Sequence, residues 1–557
     1  MTNYVIVPSA KFIAPDLRKE FGHIPPVLLT YQNETILQYL CKVYRNSKIL
    51  IGVHDGKQLI EQYVKKSRSS GELIGIDQPQ SLGHTVYSLL QQIDFEEVDQ
   101  LTIHFGDTII QNVDTYLANS LLVCKVDDSW RWTIVENKSD ELLFMDKTSI
   151  SVEELAIVGI INIQYPLHFK YVLQKVLDTA KGTDALFVAL KLYHQNYPLE
   201  LVEINRQNWI DLGHLDRLVE ATGQTRIFNE IAIDFNKGVL KKNSLYKAKF
   251  INEILWYIHL PKNLHYAIPR IFNYSLDEQD LFIEMEYYSY RSLSERYVIN
   301  NLNIEDWQLI FKRIENLLTH FSQFKQSAKD IDQSRYQMYV KKTLERLTDY
   351  DWPEELKKVS IVRTINGKEV IPLDEILDSM PKVYHQLYQH VKGELPQQFN
   401  VMHGDLCFSN ILYDIHNGIT RIIDPRGSFE DSSVYGDALY DLAKLSHSVR
   451  GFYDFIIRDQ FYFEMNEENI IFELFSNERH QEISQLFEQR FLYKPYLKLY
   501  IDFIESMLFL SMIPLHKDSI TRQKAMLVTG ILKYNQFIKL FYNYFSLKKE
   551  EIYEVKL

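Results

Sequence analysis

Two rhythms of apolar residues divide this chain. Across residues 1–225, short apolar runs at 4–7, 48–53, 72–76 and 101–105 alternate with stretches at 34–45 and 82–93 whose apolar side chains recur at helical spacing. Such alternation predicts an α/β domain on a mostly parallel sheet, because parallel neighbours need a crossover element between them. From residue 226 the pattern changes. Strands are expected at 228–234 and 238–242 around an Asn236-Lys237-Gly238 turn, then a helix over 246–259. The run Leu281-Phe282-Ile283-Glu284-Met285-Glu286-Tyr287-Tyr288 reads as a buried strand. Beyond it the chain is mostly helical in pattern, ending in stripes of Leu, Ile, Phe and Tyr at 487–515 and 520–544 that read as core-facing. The expectation is an α/β domain over 1–225, then an α+β region, strand-bearing at 226–290 and mostly helical at 291–557 with a helical carboxyl-terminal subdomain.

The densest chemistry lies in residues 401–427. In Val401-Met402-His403-Gly404-Asp405-Leu406-Cys407-Phe408-Ser409-Asn410, Asp405 and Asn410 stand five apart behind His403, so one tight turn can present a carboxylate and an amide oxygen together. Strands at 410–413 and 419–423, joined by the turn Asp414-Ile415-His416-Asn417-Gly418, would return Asp424 beside Asn410. Phosphoryl transfer asks for positioning and charge neutralisation more than covalent work. It needs a carboxylate to orient the acceptor hydroxyl and hard oxygen ligands for Mg2+. Asp405 is the candidate for the first task, Asn410 and Asp424 for the second. A strand lysine braced by a helix glutamate would hold ATP phosphates. Lys242 and Glu253 are the candidates, with Lys241 left open because alternation puts it on the opposite face. Backbone groups at Glu286, Tyr287 and Tyr288 would meet adenine. The bland alternative is that His-Gly-Asp is a plain turn and Ile422-Ile423-Asp424 the end of an ordinary strand.

With Gly436-Asp437 and Tyr440-Asp441-Leu442-Ala443 downstream, these motifs resemble the aminoglycoside phosphotransferase and choline kinase group, protein-kinase-like folds acting on small molecules. The resemblance spans residues 226–557. It implies ATP and Mg2+ as cofactors, a small hydroxylated acceptor and a pocket walled by the last helices. No Gly-x-Gly-x-x-Gly loop is present, and members of this group often lack one. Asp437 and Asp441, at the head of a helix, read as caps suited to its dipole.

In the first domain, Gly106-Asp107-Thr108 puts a carboxylate at the end of a strand, where open α/β sheets bind ligands, and Trp209-Ile210-Asp211-Leu212-Gly213-His214 presents a second acid in a turn. Together with Gln78-Pro79-Gln80-Ser81-Leu82-Gly83 they resemble sugar-nucleotide pyrophosphorylases and related nucleotidyltransferases over residues 1–225. That resemblance implies metal-holding roles for Asp107 and Asp211 and a place near the nucleobase for Gly83. The family's glycine-rich loop is eroded: Val7-Pro8-Ser9-Ala10-Lys11-Phe12 has no glycine, and Pro26 stands where a lysine is expected, leaving Lys11 or Arg18 as substitute cations. Bulky side chains obstruct close approach of backbone N–H groups to a triphosphate.

Composition bounds the rest. At 557 residues and 46% apolar the chain can fill two or three cores. A net charge of -13 with no basic arm argues against nucleic acid as a partner. Three scattered cysteines suit neither a disulfide framework nor zinc, so a reducing cytoplasm is the expected compartment. No membrane span is expected, since the most apolar run, at 507–515, is short. The joined resemblances suggest a small-molecule kinase that supplies activated precursors for cell-surface polysaccharide. An antibiotic-modifying phosphotransferase and a non-catalytic nucleotide-binding regulator or scaffold are the alternatives.

Overall fold

The computed structural model describes residues 2–31, 34–111, 119–126, 129–138, 141–146, 154–179, 185–213, 229–429, 434–466 and 469–545. His214, the junction at 221–226 and Phe228 lie outside them. The chain divides into two compact units, residues 1–224 and 225–557.

The first unit is a sheet wrapped by helices. Its strands are β1 (Asn3–Pro8), β2 (Lys48–Val53), β3 (Glu72–Gly75), β4 (Gln100–His104), β5 (Thr108–Ile110), β6 (Ser120–Val126), β7 (Thr133–Lys138), β8 (Glu141–Asp146), β9 (Glu154–Ile163), β10 (Glu200–Glu203) and β11 (Trp209–Asp211). The main sheet runs β8-β7-β9-β4-β1-β2-β3, with β6 on β9 and β10 on β6. It is mixed. The segment β4-β1-β2-β3 is parallel, as the rhythm of the first hundred residues foretells, whereas β9 runs antiparallel to β4, β6 and β7. Of these added strands, β6 and β9 are buried on both faces, so they carry no alternation by which direction could be read. In β6, Leu121 and Val123 pack with Val86 and Leu89 of α2 (Leu82–Gln91), while Leu122 and Cys124 pack on the opposite side with Trp132 and Trp209. The helix expected at 34–45 is α1 (Ile36–Val43), started by Thr35 and Gln38 in a capping box. Two further helices, α3 (Pro166–Thr179) and α4 (Ala185–Asn196), cover the α2 side. The short pair β5 and β11 is antiparallel with Thr108 opposite Asp211, which draws the two acid-bearing turns together.

The second unit opens with an antiparallel sheet of order β12-β13-β15-β14, built from β12 (Asn229–Asp234), β13 (Val239–Ser244), β14 (Ile271–Ser275) and β15 (Phe282–Glu286). Helix α5 (Lys247–His259) buries Phe250, Ile254, Trp256 and Tyr257. It is pinned to the polar turns below. Trp256 Nε1 donates to the Met402 carbonyl at 2.7 Å, and a Cβ on Gly427 would overlap the Asn252 carbonyl, so only glycine fits there. The lower region holds the hairpin β16 (Ile411–Asp414) and β17 (Ile419–Ile422). Asn410 itself closes a short 3-10 turn, Phe408–Asn410, rather than starting the strand. The helical stripe at 487–515 is two helices, Glu478–Phe491 and Pro495–Met512, parted where Pro495 begins the second. The last, Ile520–Phe545, packs against the second of these. The strands Phe461–Met465 and Ile470–Leu474 form a hairpin that the sequence pattern did not reveal. The apolar stretch is also longer than expected. Pro495–His516 spans 22 residues and contains an 18-residue window of mean hydropathy 1.3, 78% of which is buried inside the protein, as a core helix would be.

Candidate active site

The turn at 403–410 is held from several sides. Gly404 has φ +80, and a Cβ there would lie 2.8 Å from Arg426 Cβ. Burial pushes the His403 imidazole down to about 4; its Nδ1 accepts from the Asp405 N–H at 3.3 Å while Nε2 donates to the Ile423 carbonyl at 2.9 Å. Asn410 Nδ2 donates to the Asp405 carbonyl (2.8 Å) and to Asp405 Oδ2 (3.1 Å). The Ile423 N–H donates to the Asn410 carbonyl at 3.0 Å, which brings Asp424 next to Asn410 as the hairpin predicts. Asp424 sits at φ +56, a left-handed conformation rare outside glycine and often met at functional positions.

Two buried lysines reach the acids. Lys242 Nζ lies 2.7 Å from Glu253 Oε1 and 2.8 Å from Asp424 Oδ1. Burial alone would drive Lys242 toward the neutral form, but Asp424 and Glu253 hold its ammonium above the ordinary lysine range. Burial pushes Glu253 up to about 7 against the pull of Lys242. Lys241 is on the other face, over the Phe282 ring and 3.8 Å from Glu284, which settles the alternation in favour of Lys242 as the inward lysine. The second lysine was not legible as a site residue. Lys444, on helix α6 (Ala438–Val449), puts Nζ 2.9 Å from Asp405 Oδ1. It stands three residues after Asp441, so helical spacing from the Tyr440-Asp441-Leu442-Ala443 motif was the signal available. The lysine side chains are 5% and 8% exposed, while Asp405 and Asp424 are 39% and 36% exposed. The carboxylates are therefore open to a ligand and gripped from behind.

Of the two helix-head acids, Asp437 caps its helix by accepting from the Leu439 N–H (3.2 Å), and it also accepts from buried Arg335 Nε (2.9 Å) and the Tyr339 hydroxyl (2.6 Å). Asp441 does not cap its own helix. It accepts from the His403 and Gly404 N–H groups, each at 2.7 Å, and so sets the turn that carries Asp405; burial pushes it up to about 7.

Two of the backbone groups expected to meet adenine have partners within the chain. The Tyr287 N–H donates to the Gly238 carbonyl (2.8 Å) and the Glu286 N–H to the Arg270 carbonyl (2.8 Å), so both are spent inside the protein because the chain continues its sheet pairing past Glu286. The Tyr288 hydroxyl donates to Glu286 Oε2 at 2.6 Å, and both residues line a cavity of about 680 Å3 with Arg270, Tyr257 and Arg421.

In the first unit Asp107 and Asp211 converge on Gly213, where a Cβ would meet Asp107 Oδ2 at 2.9 Å and Asp211 Oδ1 at 3.0 Å. Asp211 accepts from the Gly213 N–H (2.7 Å) and from Trp132 Nε1 (2.8 Å). Gly83 takes a packing position instead of an open one: a Cβ would come 3.0 Å from both Ala185 Cβ and the Leu186 nitrogen of α4, so glycine lets α2 and α4 approach. Arg18 Nε donates to the Ile13 carbonyl at 2.6 Å, and Lys11 is exposed.

The donor set suits a hard cation. An amide oxygen from Asn410 and a carboxylate from Asp424 are oxygen ligands of the kind Mg2+ takes, few enough that phosphate oxygens would complete the shell. Among the described residues no group of three His, Cys, Asp or Glu side chains is placed to hold a metal alone.

Residues 238–462 match the model of the phosphotransferase enzyme family. No curated protein matches this sequence. Among solved structures, the chain is similar to CTP:phosphocholine cytidylyltransferase (LicC) from Streptococcus pneumoniae, at 10% identity over 40% of this chain and 99% of that one, TM-score 0.34. It is also similar to a choline/ethanolamine kinase family protein from Mesorhizobium loti (12% identity, 57% and 89% covered, TM-score 0.35) and to APH(2")-IIa in a streptomycin–ATP complex (13%, 57% and 89%, TM-score 0.34). The match to the phosphotransferase family model falls within the second unit.

Proposed function

We propose that the second unit is a MgATP-dependent phosphotransferase acting on a hydroxyl of a small molecule, a sugar, polyol or amino alcohol. The observation that carries this reading is the convergence of Lys242, Glu253 and Asp424 with the turn bearing Asp405 and Asn410. Asn410 and Asp424 would hold Mg2+, which neutralises phosphate charge when bound. Lys242, braced by Glu253, grips phosphate oxygens. Asp405, aimed by Asn410 and Lys444, orients the acceptor hydroxyl and takes its proton. The acceptor oxygen bonds the γ-phosphorus as the bond to the β-phosphate oxygen breaks, and ADP leaves. A screen of alcohols with labelled ATP tests this. Failure of every acceptor together with absence of MgADP binding would sink it.

In the same reading the first unit handles a nucleotide, and the chain makes a phosphorylated alcohol and activates it as a precursor for cell-surface polysaccharide. The support is the shared position of Asp107 and Asp211 against Gly213. Pyrophosphate release from CTP, UTP, GTP or dTTP with phosphorylated acceptors is the expected result; none with any of them removes the bifunctional version. Cys41, Cys124 and Cys407 form no disulfide, in keeping with a cytoplasmic setting.

A further inference from the structure

The wall beside Asp405 is cationic. Lys342 and Arg346 stand one turn apart on the helix Lys342–Thr348, Arg426 follows the Asp424-Pro425 pair, and Lys444 comes from α6. Contacts knit the four together. Lys342 Nζ and Arg426 Nη1 each lie 3.6 Å from the Met338 sulfur. Arg426 Nη1 is also 3.3 Å from the Tyr440 hydroxyl, with its guanidinium 5.6 Å from that ring's centre. Arg346 Nη1 donates to the Ser511 carbonyl at 3.2 Å, and Lys444 Nζ lies 3.7 Å from the sulfur of the next residue, Met512. The group abuts the reacting end of the site, since Arg426 packs on Gly404 and Lys444 pairs with Asp405.

Their own counter-charges are missing. Of the four, among the described residues, only Lys444 meets a carboxylate, and that carboxylate is Asp405. Lys342, Arg346 and Arg426 are half-buried and have sulfur, hydroxyl and carbonyl partners instead. Burial, with Arg426, Arg346, Lys444 and Lys249 nearby, pushes the Lys342 ammonium down to about 6. Crowded, partly dehydrated cations call for an anion, and none of the described carboxylates supplies one to these three. A polycationic or quaternary ammonium acceptor would meet repulsion here.

Resting on the phosphotransferase reading above, we infer that the acceptor is an anionic alcohol, a small hydroxylated molecule whose phosphate ester or carboxylate seats on Lys342, Arg346 and Arg426 while its hydroxyl meets Asp405. Guanidinium forks suit both anions, and two of the three cations are arginines.

Two measurements on the full chain test this. First, the MgADP-loaded protein is titrated with inorganic sulfate against sodium chloride of equal ionic strength, following thermal stability. Sulfate is expected to stabilise beyond chloride, and K342M/R346M to weaken apparent sulfate affinity at least tenfold on the scale of lost charge-assisted bonds while MgADP affinity stays within about twofold. Second, transfer of the γ-phosphate is measured to matched neutral, amino, carboxylate and phosphate forms of glucose, galactose, mannose and glycerol, with choline and kanamycin as cationic comparators. The accepted compounds are expected to carry an anion, and the carboxylate and phosphate arms tell which. Preference for a neutral or cationic alcohol overturns the inference. So does an unchanged sulfate response in the double variant, or loss of MgADP affinity in its place, which would assign the cluster to the nucleotide. If the double variant does not fold, Arg346→Lys is read by the same criteria. The kinase reading fails on a different result, no MgADP binding and no transfer to any acceptor.

Discussion

Each unit of this protein brings acids together on tight turns, but the two differ in what grips them. In the first unit the groups that hold Asp211 include two neutral donors, the Trp132 indole N–H and the Gly213 N–H, with Asp107 alongside. In the second unit Lys242 grips Asp424 and Lys444 grips Asp405 from within the protein. A carboxylate held by a buried ammonium is kept charged as well as aimed, which is what metal binding and hydroxyl orientation require. Neutral donors fix geometry with less bias on charge. The units share one device. His104, buried, accepts from the Tyr44 hydroxyl at Nδ1 (2.8 Å) and donates from Nε2 to the Thr108 carbonyl (3.1 Å), much as His403 spans Asp405 and Ile423.

The sharpest way to break the comparison is at the acids. Asp405→Asn is expected to lower kcat for phosphoryl transfer by about 10^3-fold with little change in the KM for ATP, while Asp107→Asn leaves that transfer untouched. Equal losses in steady-state assays would erase the functional difference between units. Next comes the grip. Lys242→Met strands Glu253 and Asp424 and should destabilise the second unit by about 3 kcal/mol, whereas Trp132→Phe, removing one neutral donor from Asp211, should cost the first unit about 1–2 kcal/mol. Calorimetry resolving two transitions reads both.

The shared histidine device predicts a similar acid-sensitive contribution in each unit. His104 and His403 are each pushed by burial down to about 4 in the folded protein, so between about pH 6.5 and 4 the unfolded chain binds more protons and stability falls as pH falls. The loss approaches roughly 3 kcal/mol per histidine at the lower end and is absent above the window. The urea midpoint should drop between pH 7 and 4.5 in the first unit, while in the second Glu253 and Asp441, raised to about 7, gain stability as pH falls and offset the loss from His403. In His403→Gln that loss should disappear, and the first unit should be unchanged. The smallest effect is expected for Gly83→Ala, about 1 kcal/mol in the first unit only, from crowding against Ala185 and Leu186.

Local spacing made much of the second site legible. Asp405, Asn410 and Asp424 lie within one turn and one hairpin, and Lys242 and Glu253 within one strand and the next helix, so short-range rules bring them near one another. What escaped depends on distant chain. Lys444 meets Asp405 from 39 positions away along α6, Asp441 serves the turn at His403 instead of its own helix, and Arg426 is defined as a wall residue only by Met338 and Tyr440. The Tyr287 N–H escaped for the opposite reason: alternation marks a strand but not where its pairing ends. In the first unit the parallel strands announced themselves through their crossover helices. The doubly buried antiparallel strands β6 and β9 gave no direction.

Helix α5 carries Glu253 and is fastened at two points, by the Trp256 bond to the Met402 carbonyl and by the close fit of Gly427 under Asn252. Switchable kinases gain an off state by letting a helix swing and part its glutamate from a strand lysine. Here such a swing would strand an indole N–H in an apolar interior and open a void at a glycine shaped to leave none. On the phosphotransferase reading, regulation through that lever would carry a high cost in stability.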